Sequence, residues 1–172
     1  MRAAILIAFV LLRSGCSVPV APTPPATSAS PAAAIPDDPL RGLARKVLSL
    51  ANRQRRLHGV HELHWNDALA EQARLQSMNM MERGFFSHID PVRGALSARL
   101  RAAGIQWSRC GENIFREHGM EDPPDDAVEG WMKSPAHRQS LLDPLFTDTG
   151  VGIAISSDTE YFITQDFIRP LK

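Results

Sequence analysis

The side chains of this 172-residue chain best suited to chemistry near neutral pH are its six histidines, at 58, 61, 64, 88, 118 and 137. A neutral imidazole is a common ligand for zinc and related cations. His61-Glu62-Leu63-His64 is superficially similar to a zinc-protease motif. That motif needs its histidines four residues apart, so that both fall on one helix face. Here they are three apart, and Gly59 together with Leu63-His64-Trp65 points to a loop. His58, His61 and His64 therefore read as surface residues, as does His118 in its acidic, proline-flanked loop. His88 and His137 sit in more punctuated settings, Ser87-His88-Ile89-Asp90-Pro91 and Ser134-Pro135-Ala136-His137-Arg138. Pro135 should open a helix and fix His137 on its first turn. Glu112 lies between Gly111, which leaves room for close approach, and Asn113. A glutamate beside histidines can orient a ligand or take a proton from a bound water.

Nucleophilic chemistry finds no support. Gly-x-Ser-x-Gly is absent, and Ser87 only abuts His88 in sequence, where neighbours seldom point at one another. Cys16 and Cys110 are too few for a disulfide framework, and Cys110 reads as a buried, inert thiol. Lys plus Arg equals Asp plus Glu, whereas a nucleic-acid binder would show a basic excess. The basic run Arg53-Gln54-Arg55-Arg56 reads as a solvated helix end, where cations suit the helix dipole. Trp65, Trp107 and Trp131 are assigned to core packing.

Several elements must position these residues. Pro39 opens a first helix behind Asp38 as N-cap; Leu40, Leu43, Val47 and Leu50 recur at helical spacing, and Gly59 ends it. A second helix runs from Asn66 to Gly84 with Leu69, Ala73, Gln76 and Met80 on one face. A short third covers Gly94 to Ala103. Another follows Pro123-Pro124, and Ser134-Pro135 caps a last one through Leu142. The period then changes: Val151, Ile153 and Ile155 alternate with small residues, and Tyr161 to Ile168 is rich in strand formers, with a hairpin turn at Ser157 to Glu160. Helices first and strands last predict an α+β fold, an antiparallel sheet packed by helices.

The N-terminal part is a different kind of sequence. Arg2 precedes the uncharged apolar run Ala3 to Leu12, which is signal-peptide length and too short to span a bilayer. Ser14-Gly15-Cys16 resembles a lipobox, in which Cys16 is lipidated and becomes the new N-terminus, although Arg13 stands where that pattern has an apolar residue. Residues 17–38 are a Pro/Ala/Ser-rich linker. The organisation expected is a signal peptide over 1–16, that linker, and one folded domain over 39–172, a monomer exported to the cell envelope. There it would be anchored through Cys16, plausibly in an outer membrane, or secreted.

Six stretches in order carry a resemblance: Asn52-x-x-Arg55-x-x-x-Gly59, Phe86-Ser87-His88, Gly111-Glu112-Asn113-Ile114, Trp131-Met132-x-Ser134-Pro135-x-His137-Arg138, Gly150-Val151-Gly152, and Tyr161 through Gln165-Asp166-Phe167. Over residues 43–168 the chain resembles the CAP superfamily of cysteine-rich secretory, antigen-5 and pathogenesis-related proteins, in its compact bacterial form. The resemblance implies an α-β-α sandwich with a small antiparallel sheet, and a cleft lined by two histidines and two acids. The histidines carry over as His88 and His137 and one acid as Glu112. The second acid's usual position holds Ser134, and Glu129 is the nearest candidate. The cleft so implied would bind a lipid, a glycan or a cation, with His88 and His137 as ligands for a divalent metal such as zinc. The alternative is a metal-dependent hydrolase that uses a histidine-bound water, with Glu112 as general base and Glu129 as a further candidate catalytic residue. The sequence leaves the choice between enzyme and binding module open.

Overall fold

The computed structural model describes residues 39–119 and 121–171. The expected signal peptide, Cys16 and the expected linker lie outside the described residues.

Helix α1 (Pro39–Leu57) begins at the proline, and Gly59 follows it at φ 70°. A two-residue strand β1 (His64–Trp65) leads into α2 (Asp67–Arg83). The Asn66 side chain caps α2 by accepting the Leu69 N–H, and Gly84 closes it in the left-handed conformation. Strands β2 (Ile89–Asp90) and β3 (Gly94–Ala95) form a small antiparallel hairpin before α3 (Leu96–Ala102). The expected third helix is thus shorter at its start, because Gly94 and Ala95 pair with β2. The long strand β4 (Trp107–His118) precedes α4 (Pro123–Lys133) and α5 (Pro135–Leu141). The chain ends on the hairpin β5 (Asp148–Ile155) and β6 (Glu160–Pro170).

The main sheet has the order β1-β5-β6-β4, antiparallel except where β1 joins β5. Side chains of β6 sort into two layers by alternation. Phe162 packs in a cluster with Met80, Thr164 accepts a hydrogen bond from Ser77 at 2.9 Å, and Ile168 packs with Leu69 and Leu100. These residues face α2 and α3. Ile163 joins Val47 and Trp131 from α1 and α4, and Phe167 stacks on Phe146. The architecture is therefore α-β-α, with β4 at one edge of the sheet.

Two features fix the layers. A Cβ on Gly150 would come within 2.0 Å of the Ala70 nitrogen, and one on Gly152 within 1.9 Å of the Arg74 nitrogen. The α2 backbone lies directly on β5, and only glycine permits that approach. On the other side, Arg55 does not end in solvent as the basic run predicts. It is fully buried and donates to the carbonyls of His61, Leu141, Asp143 and Phe146. A guanidinium has five donors and no acceptor, so it suits a turn whose carbonyls would otherwise be orphaned. Asn52, one turn earlier, both donates to and accepts from the Leu63 backbone. The Asn52–Arg55 pair thus tethers the loop before β1 and the segment that leaves α5 to α1.

Candidate functional site

The site is built outward from the middle of β4. Because β4 is the sheet edge, residues from both helical layers can meet across it. Gly111, Glu112 and Asn113 take different partners in turn. The room at Gly111 is filled from within the protein: an added Cβ there would lie 2.8 Å from the Phe146 ring, so this glycine serves packing. Glu112 turns to the α2/α3 layer and meets Arg99 and His88. Asn113, on the opposite face, is buried and donates to the His137 carbonyl at 3.0 Å. Trp131 donates its indole N–H to the Ile114 carbonyl at 3.0 Å, tying α4 to the same strand.

His88 sits on the loop between α2 and β2, held at several points. Gln76 of α2 donates to the Ser87 carbonyl at 2.9 Å, and Asn79 donates to Asp90 at 2.7 Å. The other Asp90 oxygen accepts the backbone N–H groups of Val92 and Arg93 at 2.8 and 2.9 Å. The Ser-His-x-Asp-Pro stretch is therefore a turn closed by its own aspartate. The backbone of α5 carries His137 on the other side of β4, and the two imidazole centres are 6.3 Å apart.

Electrostatically the site is layered. Glu112 is nearly covered, its side chain 4% exposed, whereas His88 is 52% exposed. The Glu112 carboxylate accepts from His88 Nδ1 at 2.9 Å through one oxygen and from the buried Arg99 guanidinium through the other. A hydrogen on Nδ1 leaves the Nε2 lone pair of a neutral His88 free to ligate. Burial, and then the neighbouring His88, hold the pKa of His137 below the ordinary histidine value, so this ring favours the neutral form. Behind Glu112 lies Asp166, directly opposite it on β6 and fully buried. Burial, followed by the charge of Glu112, pushes the Asp166 carboxyl well above the usual range.

A cation about 2.0–2.1 Å from one nitrogen of each ring sets imidazole centres roughly 5–6 Å apart. The pair His88 and His137 is thus a small side-chain adjustment from shared ligation. Among the described residues there is no group of three or more His, Cys, Asp or Glu side chains disposed to hold a metal ion. Such a site would be open and two-histidine, with Glu112 acting through His88.

The other residues singled out from sequence fall elsewhere. Glu129 lies on α4 with its carboxylate on Lys133, one turn on, and both side chains are well exposed. His58 hydrogen-bonds to the Gln54 carbonyl and accepts from Arg138, His61 donates to the Phe146 carbonyl, and His64 and His118 are exposed. Cys110 is half-buried, and burial, then Asp166 and Glu112, push its thiol pKa up, away from the reactive thiolate. Three residues of the site were not foreseen: Arg99, Asn113 and Asp166. A groove of about 710 Å³ runs along the face of α5 made by Pro135, Arg138 and Leu142, and His88, Glu112 and His137 do not line it.

Comparison with known proteins agrees with this architecture. The family model for the CAP, cysteine-rich secretory protein, family matches residues 48–167. The chain is 38% identical over 125 residues to the uncharacterized membrane protein YlbC of Bacillus subtilis (strain 168), covering 73% of this chain and 34% of that one. It spans less than half the length of the curated relatives it matches. Among solved structures it is similar to an extracellular protein containing an SCP domain from Bacillus anthracis str. Ames. That similarity has a TM-score of 0.65 and 32% identity, and covers 75% of this chain and 41% of the other. It also shares its fold with NaASP2, solved with Zn2+, at a TM-score of 0.57 and 15% identity, over 79% of this chain and 84% of that one.

Proposed function

The chain belongs to the CAP, cysteine-rich secretory protein, family, and from that premise we propose that it is an exported cell-envelope binding module whose His88–His137 cleft takes a divalent transition-metal cation. The observation that carries this reading is the state of Glu112. Both of its oxygens are engaged, one by His88 and one by Arg99, and its side chain is covered. A carboxylate in that position orients a histidine ligand and raises its basicity. A general base for a metal-bound water needs an oxygen within reach of that water, and here one oxygen faces His88, the other the buried Arg99, and the side chain is only 4% exposed. The geometry therefore favours binding over hydrolysis. Phe86 on the His88 loop, Ile89 of β2 and Val92 of the β2–β3 turn are exposed, so a lipid or glycan ligand approaching His88 would meet apolar side chains.

Two imidazoles give an open site, weaker than a closed four-ligand zinc site. Protons compete with metal for the rings, so affinity falls as pH drops. Burial and His88 keep His137 neutral to lower pH than an ordinary histidine, so its lone pair stays available longer. Zinc titrated calorimetrically at about pH 7.5 should bind weakly, and binding should fade at about pH 5.5. His88→Ala and His137→Ala should each lower affinity by about tenfold or more with little loss of fold. If both variants bind as the parent does, the metal is elsewhere, with the His58–His61–His64 segment the first place to look.

A further inference from the structure

Behind His88 lies a buried carboxyl group that the cleft's hydrogen bonds leave unexplained. Asp166 is fully buried and stands directly opposite Glu112 in the β4–β6 register. Side chains so paired leave the same face of the sheet, with Cβ atoms about 4.5–5.5 Å apart. Neither Asp166 oxygen has a hydrogen-bond partner among the described residues. The charged and titratable groups that bear on it are Glu112 and Cys110 from β4, Arg99 from α3, and Arg93 from the β2–β3 turn. Helix α2, which packs on β6, contributes the neutral Gln72 and Gln76 to the buried layer. Arg99 donates to Glu112 and Arg93 to Gln72, while Arg99 Nε and Nη1 and Arg93 Nη1 make no hydrogen bond among the described residues, so neither guanidinium is hydrogen-bonded to Asp166. Two carboxyl groups in one dry site, with neither arginine hydrogen-bonded to the second, disfavour ionisation of both.

We propose that Asp166 is a positioning residue of the cleft: it keeps its proton at neutral pH and donates it in a hydrogen bond to Glu112, which pins that carboxylate against Arg99 and His88. No proton is transferred; it stays on Asp166, and Glu112 carries the single negative charge facing Arg99. The same neutral carboxyl avoids leaving an unpaired anion in the core. The displacement of its titration by burial and by Glu112 agrees with this arrangement. The role assigned to His88 rests on the cleft reading above, but the buried pair needs no metal, so its test uses none.

The experiment is side-chain carboxyl 13C NMR on the full, metal-free chain from about pH 4 to about pH 8, with Asp166→Asn and Glu112→Gln for assignment. One acid-form resonance should persist at neutral pH and vanish in Asp166→Asn. Asn keeps a neutral donor, so the His88 titration midpoint should not move in that variant. The His88 Nδ1–H resonance should be protected in the parent and in Asp166→Asn, and lost in Asp166→Val, which has no donor. Ionisation of both carboxyls at neutral pH overturns the proposal, as does an acid-form signal that belongs to Glu112. A His88 midpoint that falls in Asp166→Asn, as loss of a real negative charge would cause, also overturns it. Persistence of the Nδ1–H signal in Asp166→Val leaves Asp166 as filler and removes the positioning role. Should Asp166→Asn not fold, the parent titration decides whether one carboxyl keeps its proton and Glu112→Gln decides whether that proton is on Glu112, and the zinc titration can fail without touching this result.

Discussion

Asp90 makes no contact with either imidazole, yet it sets where one of them stands. Its carboxylate closes the turn after His88 with two backbone N–H groups and takes a third hydrogen bond from Asn79. Burial pushes its pKa up, but the N–H groups of Arg93 and Val92 and the Asn79 amide outweigh that and hold it below the ordinary aspartate value. A carboxyl whose folded pKa is depressed contributes stability above its unfolded value, about 3.9, and loses it as pH falls through the folded one. Asp90→Ala should therefore cost about 1–3 kcal/mol at neutral pH. Thermal melts of variant and parent should converge in acid; a constant gap across that range would mean the carboxylate is not the source. At this scale the sequence was partly legible. His88, Glu112 and His137 stood out because each has local punctuation. Arg99, Asn113 and Asp166 did not: Arg99 arrives from α3, Asp166 through the pairing of β4 with β6, and Asn113 by facing α5 on the side of β4 opposite Glu112, all non-local properties.

At the scale of elements, the close contact between α2 and β5 decides how the layers sit. Gly150 and Gly152 stood in the sequence as small residues alternating with Val151 and Ile153, which reads correctly as a strand. Their reason is spatial: each added Cβ would fall inside the α2 backbone, and backbone cannot move aside as a flexible side chain can. Gly152→Ala should displace α2, and with it the Gln76 and Asn79 side chains that hold the His88 loop. A loss of roughly 4 kcal/mol or more follows for overpacking against backbone, read as a shift in the urea midpoint. A change under about 1 kcal/mol would show that the helix can slide at little cost. Strand β4, by contrast, escaped sequence reading although it is the longest in the sheet. It is an edge strand that carries Ser108, Arg109, Arg116, Glu117 and His118 exposed, so its apolar alternation is too weak to register. Arg55 misled for the opposite reason: a basic run at a helix end looks solvated, and nothing local says that one of its members is buried under carbonyls.

For the whole molecule, the edge position of β4 explains why the cleft is open to solvent while its support is buried. One layer delivers His88, the other delivers His137, and they meet only where the sheet stops. That arrangement suits a domain that meets ligands from outside, and relatives in the family include an extracellular protein and a membrane protein. Among the described residues no helix is long and apolar enough to cross a membrane. One route to a membrane that the sequence offers is Cys16, which lies outside the described residues. Small residues precede it, an uncharged apolar run precedes those, and a proline-rich stretch follows. Acylation of a new N-terminal cysteine would anchor the domain, since acyl chains bind bilayers by burying their methylenes and two chains hold where one does not. Arg13 is the residue that argues against it, since a lipobox has an apolar side chain there. The prediction is that cells grown with a palmitate analogue label the parent chain and not Cys16→Ala, and that the variant leaves the membrane fraction. Equal labelling of the two, or none in the parent, means that Cys16 does not carry the anchor.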